Sequence, residues 1–286
     1  MYLYIICIGS FVIFKKILSF IHARMKLKIL KINKKIQNRL NISIDDYKEC
    51  SELYSSIGIE LKPIENKYGK FINIPDKDKE YYHIYFDDSN EEIKRNYLEE
   101  NEKVKKIKIK IDYQVTSLKE LFCIPAYGNI IKKIKFKKFY RNNITDMSFM
   151  FSCCNYLKKI NFKKINTNNV TNMSGMFSEC SELKKIKKLK KINTSKVTDM
   201  SYMFYRCSSL KKINLSSFDT SNVTDMSDMF GWTSNLKIIK GLNKFNTNKV
   251  TDMSCMFQNA SYYPPKEILH NQLKGAENCN FEFFAW

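Results

Sequence analysis

Several residue types recur in this chain at spacings that could support chemistry. Aspartate returns as Asp146, Asp199, Asp225 and Asp252, and a file of carboxylates is what a hard metal ion or an acid–base pair requires. The same column holds Asn172 in one place and Ser117 in another, so charge is not what the position preserves. Asp, Asn and Ser share the ability to cap a helix N-terminus, at about 1 kcal/mol each, and Ser117 with Glu120 has capping-box spacing. The column therefore reads as caps. Cys154, Cys180 and Cys207 are also in register, but Thr233 and Ala260 continue their column. A small interior position explains all five, whereas a disulfide or metal ladder explains three. Methionine recurs beside phenylalanine as Met200, Met203, Phe204, then Met226, Met229, Phe230, then Met253, Met256, Phe257. Methionine is an adaptable core filler, so this stripe reads as core ahead of a copper or cofactor site.

Catalysis lacks its usual signatures. The three histidines, His22, His83 and His270, lie outside the repeated columns, and no serine or cysteine stands in a pattern suggesting a nucleophile with its base. There is no P-loop, dinucleotide fingerprint or H-E-x-x-H. The expectation is a non-enzymatic protein with no cofactor and no metal. What remains is a lysine row: Lys132, Lys133, Lys158, Lys159, Lys184, Lys185, Lys211, Lys212 and Lys237. These fall between residues expected to face inward on a strand, so they face solvent as one basic surface. Lysine in that place keeps strands soluble and blocks edge pairing, and it also suits an anionic partner. A protein or an acidic glycan or lipid surface fits. Nucleic acid fits poorly, because the row holds no arginine and no alternating aromatics.

The element that must position these columns is a tandem repeat. Ile144, Val170, Val197, Val223 and Val250 each open a V-T-D-M-like string, at spacings of 26, 27, 26 and 27 residues. A worn copy begins at Val115-Thr116-Ser117-Leu118. Leu210, Ile213 and Leu215 have L-x-x-L-x-L spacing, and Leu157, Ile160 and Phe162 repeat it, while Leu183, Ile186, Leu189 and Leu236, Ile239, Leu242 carry one inserted residue. The period and pattern predict an α/β repeat solenoid of leucine-rich-repeat type, with short parallel strands on one face and short helical or 3₁₀ turns, carrying the methionines, on the other. Six units fit between residues 113 and 263, and Pro264-Pro265 ends the series because proline cannot donate to a ladder.

Val197-Thr-Asp-Met-Ser-Tyr-Met-Phe-Tyr-Arg-Cys-Ser-Ser-Leu and Phe218-Asp-Thr-Ser-Asn-Val-Thr-Asp-Met resemble the BspA-like leucine-rich repeat family, known from surface and adhesion-type proteins. The resemblance implies a solenoid and an adhesion or protein-interaction role, often at a cell surface. The function expected is thus binding through the exposed face of such a solenoid, with a structural or oligomerising scaffold as the alternative.

Charge divides the rest. The chain carries a formal +20 over 286 residues, yet residues 41–112 are locally acidic and the repeats are basic. Residues 1–40 are basic and partly apolar, read as a membrane anchor or a start placed too early, since Lys15 and Lys16 break the apolar run and follow it instead of preceding it. Residues 41–112 form an α+β flanking region, with a strand over Tyr81–Phe86 and a helix around Glu91–Glu102. Residues 264–286 are a C-terminal tail. Nine cysteines with no C-x-x-C pair suit a reducing compartment, against the surface location that the resemblance implies.

Overall fold

The computed structural model describes residues 55–125 and 129–273; the expectations for residues 1–40 and for the end of the tail fall outside them. The chain divides at Ser55, and Ser56 opens the second of its two units. Its first element is strand β1 (Ile57–Pro63), in which Ile57, Ile59, Leu61 and Pro63 are buried and the residues between are not. The same alternation runs through β5 (Ile107–Ile111), with its Ile-Lys-Ile-Lys-Ile sequence. A period of two buries one sheet face. These strands join β3 (Tyr82–Phe86) and β6 (Ile131–Lys138) in a four-stranded sheet of order β3-β5-β1-β6, with all three neighbouring pairs antiparallel. A small pair, β2 (Gly69–Lys70) and β4 (Tyr97–Leu98), lies in the connections.

The strand expected over 81–86 is present, but the helix expected around 91–102 is not. Its backbone groups pair elsewhere: Ile93 bridges Ile84, the Phe71 N–H reaches Asn96 O at 3.1 Å, and Tyr97 and Leu98 pair with Lys70 and Gly69. Groups engaged in this way cannot also serve a helix.

The predicted leucine-rich-repeat solenoid is not the fold. Ile131–Lys138, which carries Lys132 and Lys133 of the lysine row, is β6 and pairs antiparallel with β1 instead of joining a parallel ladder. Downstream, the L-x-x-I segments yield only three-residue strands, β7 (Lys159–Asn161), β8 (Lys185–Lys187), β9 (Lys212–Asn214) and β10 (Ile238–Lys240). They pair as β7-β8 and β9-β10, two separate parallel pairs and not a continuous curved sheet. The residue inserted in alternate units accounts for the break. Lys188 and Gly241 stand just after β8 and β10 with φ of 61° and 98°, and a 3₁₀ turn follows each, Leu189–Lys191 and Leu242–Lys244. A left-handed residue ends a strand. The methionine segments form no helix; the single α-helix among the described residues is α1 (Lys266–Gln272). The domain is therefore α/β with mixed topology and disconnected sheets, and the BspA-like resemblance does not carry over to it.

What repeats in space is a turn. Within one unit Met150 N–H bonds Met147 O, Ser152 N–H bonds Phe149 O and Cys154 N–H bonds Phe151 O. The intervening N–H groups of Met147, Phe149, Phe151 and Cys153 reach Asn172, Ser174, Met176 and Ser178 in the next unit. Left-handed residues such as Phe149 and Cys153 allow this alternation. Single parallel bridges join Ser117, Asp146, Asn172, Asp199, Asp225 and Asp252 in succession.

Each polar column secures a turn. Asp146 Oδ1 accepts from the Ser148 N–H at 2.8 Å and its hydroxyl at 2.7 Å, and Asn172, Asp199 and Asp225 hold Ser174, Ser201 and Ser227 likewise. The column caps turns instead of the helices expected, for the same reason of side-chain reach. Buried Thr167, Thr194 and Thr220 each span to the next unit: Thr194 Oγ1 donates to Asp219 O at 2.9 Å and accepts its N–H at 2.8 Å. Behind the turns, Phe122, Phe151, Phe177, Phe204, Phe230 and Phe257 are all buried and stack with centroids 5.5–5.7 Å apart and planes within 10° of parallel. Such pairs add about 0.5–1.5 kcal/mol beyond area burial.

Candidate functional site

Lysine is where the sequence located function, and the row's surroundings can now be specified. Eight of the nine expected lysines are exposed; Lys132 is half-buried and bonds Glu65 at 2.9 Å. They do not form one continuous face. Lys184, Lys185 and Lys212 line one cleft, of about 750 Å³, between β8 and β9. Lys132, Lys133, Lys158 and Lys159 line another, of about 610 Å³, beside β6 and β7. Lys211 and Lys237 border neither cleft.

The first cleft arises where the strand ladder is interrupted. β8 and β9 belong to different pairs, and the turn at Lys188 carries the chain away. Its walls bring in Lys188, Lys190 and Lys240, which lie beyond the L-x-x-I positions that the sequence pattern singled out: Lys188 and Lys190 flank Leu189 after β8, and Lys240 ends β10. Between the six lysines lie Ile186, Leu189, Ile213 and Ile238, the last 48% exposed. Among the described residues no carboxylate borders this cleft. An apolar floor inside a cationic rim is a binding arrangement more than a packing one, since surface isoleucine gains nothing from water.

The second cleft likewise has no carboxylate among the described residues that border it, and adds Lys135, Lys163, Lys164 and Lys187. Crowding has a measurable consequence there: contact with Lys137 holds the Lys135 ammonium below the ordinary lysine value, while Glu60, 2.8 Å from Lys137, partly offsets it. Glu182 reaches Lys158 at 3.4 Å.

The other columns are structural by placement. Cys180 Sγ donates to Phe151 O at 3.0 Å and Cys207 Sγ to Phe177 O at 3.1 Å, each fully buried. Burial pushes the Cys154, Cys180 and Cys207 thiols well up, away from thiolate character. Cys255, in another column, is disulfide-bonded. The methionines at 147–256 pack against the phenylalanine stack without exposure beyond 8%. Among the described residues no group of three or more His, Cys, Asp or Glu is placed to hold a metal ion. His83 lies between two carboxylates, Glu92 Oε1 and Asp112 Oδ2, each at 3.1 Å. No helix among the described residues is long and apolar enough to cross a membrane.

Two features escaped the sequence reading altogether. Arg206 lies over Tyr205 and Trp232, its guanidinium carbon 5.2 and 5.6 Å from the ring centroids, on the turn side of the units. Cys123 and Cys153, one outside the small-residue column and one adjacent to it, act on each other's titration, raising the Cys123 thiol and drawing the Cys153 thiol down to about 7. Neither is legible from spacing, because each joins residues that share no column.

Without a continuous strand face, the expected adhesion or protein-interaction surface of a leucine-rich solenoid has no basis in this fold. No curated protein and no solved structure matches the chain. A family model does match it, over residues 116–212 and again over 182–284, two overlapping stretches that together span more than half of the 286 residues and take in every turn unit. The family so identified is not the BspA-like one: this chain belongs to the family described as "Mycoplasma protein of unknown function, DUF285".

Proposed function

We propose that this protein is a binding protein, not an enzyme, and that the cleft between β8 and β9 takes an acidic peptide segment of a partner protein. The observation that supports this is the cleft's composition: Lys184, Lys185, Lys188, Lys190, Lys212 and Lys240 around Ile186, Leu189, Ile213 and Ile238, with no acid among the described residues at its border. Six ammonium groups without neighbouring carboxylates create a positive potential that attracts an anion and speeds its arrival. The aliphatic floor narrows the class. Peptide offers apolar side chains alongside carboxylates, while an acidic glycan leaves the isoleucines unused and a flat lipid surface does not enter a concavity.

The test uses a fluorescein-labelled peptide of alternating glutamate and leucine, and a polyglutamate peptide of equal length, titrated with the full chain. The alternating peptide is expected to bind more tightly, with affinity falling as salt rises, because exposed charges are screened over about 8–10 Å at physiological ionic strength. Replacing Lys185, Lys188, Lys212 and Lys240 with Gln should weaken binding at least tenfold, while Lys249→Gln, outside the cleft, should leave it unchanged. Equal affinity for the quadruple variant and the wild-type chain would remove the cleft as the site.

A further inference from the structure

The second lysine cleft differs from the first in what it offers a ligand. It opens where two sheets fail to join: β6 is an end strand of the four-stranded sheet, β7 belongs to the next parallel pair, and no bridge links them among the described residues. Lysines border the gap from both strands, Lys133 and Lys135 from β6 and Lys159 from β7, with Lys187 from β8 beyond. Repulsion between like charges keeps two open strand edges from pairing. The cleft's apolar members, Ile134, Phe136 and Ile160, are buried, whereas the first cleft shows Ile238 to solvent. Among the described residues its exposed lining is therefore lysine and Asn161.

Little of that charge is neutralised from within. Glu65 and Glu182 lie 2.9 and 3.4 Å from Lys132 and Lys158, and Lys164 Nζ donates to the Lys137 carbonyl at 3.0 Å. Lys133, Lys159, Lys163 and Lys187 have no carboxylate partner among the described residues. We propose that this cleft binds a compact polyphosphate, a small molecule in which three or more phosphate groups are joined. The site shares no lining residue with the cleft between β8 and β9 and does not rest on the peptide reading.

A linked chain of phosphates concentrates negative charge and acceptor oxygens in a volume that a cavity of about 610 Å³ encloses. Lysine meets phosphate as a point charge on a flexible stem, so its ammonium settles where an oxygen stands instead of demanding the planar geometry of an arginine fork. Extended peptide is a poorer match, because its side chains alternate in direction and only every second carboxylate reaches one wall. With no exposed apolar residue in the lining, the intervening side chains of a peptide gain nothing. Phe136 is the one aromatic among the described lining residues and it is buried, so a nucleobase finds no ring to stack on. Recognition therefore reads the phosphates and ignores what they are attached to.

The experiment titrates the full chain by calorimetry with inorganic tripolyphosphate, adenosine triphosphate and inorganic monophosphate, at physiological ionic strength and without divalent cations, which compete for the phosphates. Tripolyphosphate is expected to bind one to one, adenosine triphosphate no more tightly, and monophosphate far more weakly. Replacing Lys133, Lys159, Lys163 and Lys187 with Gln should weaken tripolyphosphate at least tenfold, while replacing the same four with Arg, which keeps the charge, should retain binding. Replacing Lys185, Lys188, Lys212 and Lys240 with Gln removes four charges from the other cleft and should leave tripolyphosphate affinity within about twofold, since exposed charges that far from the ligand are screened. Equal losses in the two Gln variants would show attraction to net charge alone and overturn the proposal. Monophosphate binding as tightly as tripolyphosphate, or adenosine triphosphate binding more tightly than it, would overturn it as well.

Discussion

At Asp225 the side chain has one task, the closure of a turn: Oδ1 accepts from both the Ser227 N–H and its hydroxyl. Asn172 performs the same closure on Ser174 without a charge, and Asp199 and Asp252 lie directly beside Asp225 in the bridge succession. Like charges held in register repel. Asp225→Asn is therefore expected to match or slightly exceed the wild-type stability, whereas Asp225→Ala should cost about 1–2 kcal/mol, the worth of the lost hydrogen bonds, in urea unfolding. A large loss for the asparagine variant would show that the carboxylate does more than close the turn. The sequence column of Asp, Asn and Ser was enough to infer capping, because capping depends on side-chain reach over two residues. It was not enough to tell a helix cap from a turn cap, since both begin with the same hydrogen bond.

Among the elements, the left-handed residue after each inserted position decides how the short strands end. Gly241 has φ of 98°, and a Cβ added there would meet backbone, at 2.8 Å from Leu215 C, 2.6 Å from Ser216 Cα and closer to Ser216 N. Lys188, at the corresponding place after β8, has φ of 61° and so carries a side chain. Gly241→Ala should consequently destabilise by roughly 1–3 kcal/mol, combining a strained backbone with an unrelievable contact. Lys188→Gly should change stability by less than about 1 kcal/mol, since the left-handed conformation suits glycine. Thermal unfolding of the two variants, compared with the wild-type chain, checks both. The one-residue insertion was visible in the spacing of Leu183, Ile186 and Leu189. Its effect, dividing the expected ladder into two pairs, depends on how a neighbouring unit meets the bulge, and that is not a local property.

At the largest scale, the buried apolar side chains of the described residues form one contiguous cluster running from Ile57 in β1 to Leu273 after α1. The antiparallel sheet and the turn units share it through β6, which pairs with β1 and packs Phe136 edge-on against Phe151 at 6.3 Å. A shared core predicts a single cooperative transition. In a Trp286→Phe chain, Trp232 reports on the turn units alone, while far-UV circular dichroism weights all strands. The two denaturation curves should coincide, and separation of their midpoints would show that the sheet and the turn units unfold independently.

The sequence by itself determined the period of 26 and 27 residues, which columns are buried, which polar residues close local turns, and which lysines face solvent. All of these depend on contacts within a few residues, repeated often enough to read. Only the tertiary structure decided the rest: that Ile131–Lys138 pairs with β1, that the strands join in twos, that the lysines part into two clefts with added members, and that Arg206 lies over Tyr205 and Trp232. Each of these depends on which distant segment a backbone group finds as its partner. An Ile-Lys alternation such as that of β5 or β6 satisfies an antiparallel sheet as readily as a parallel ladder, so hydrophobic pattern alone could not choose between them.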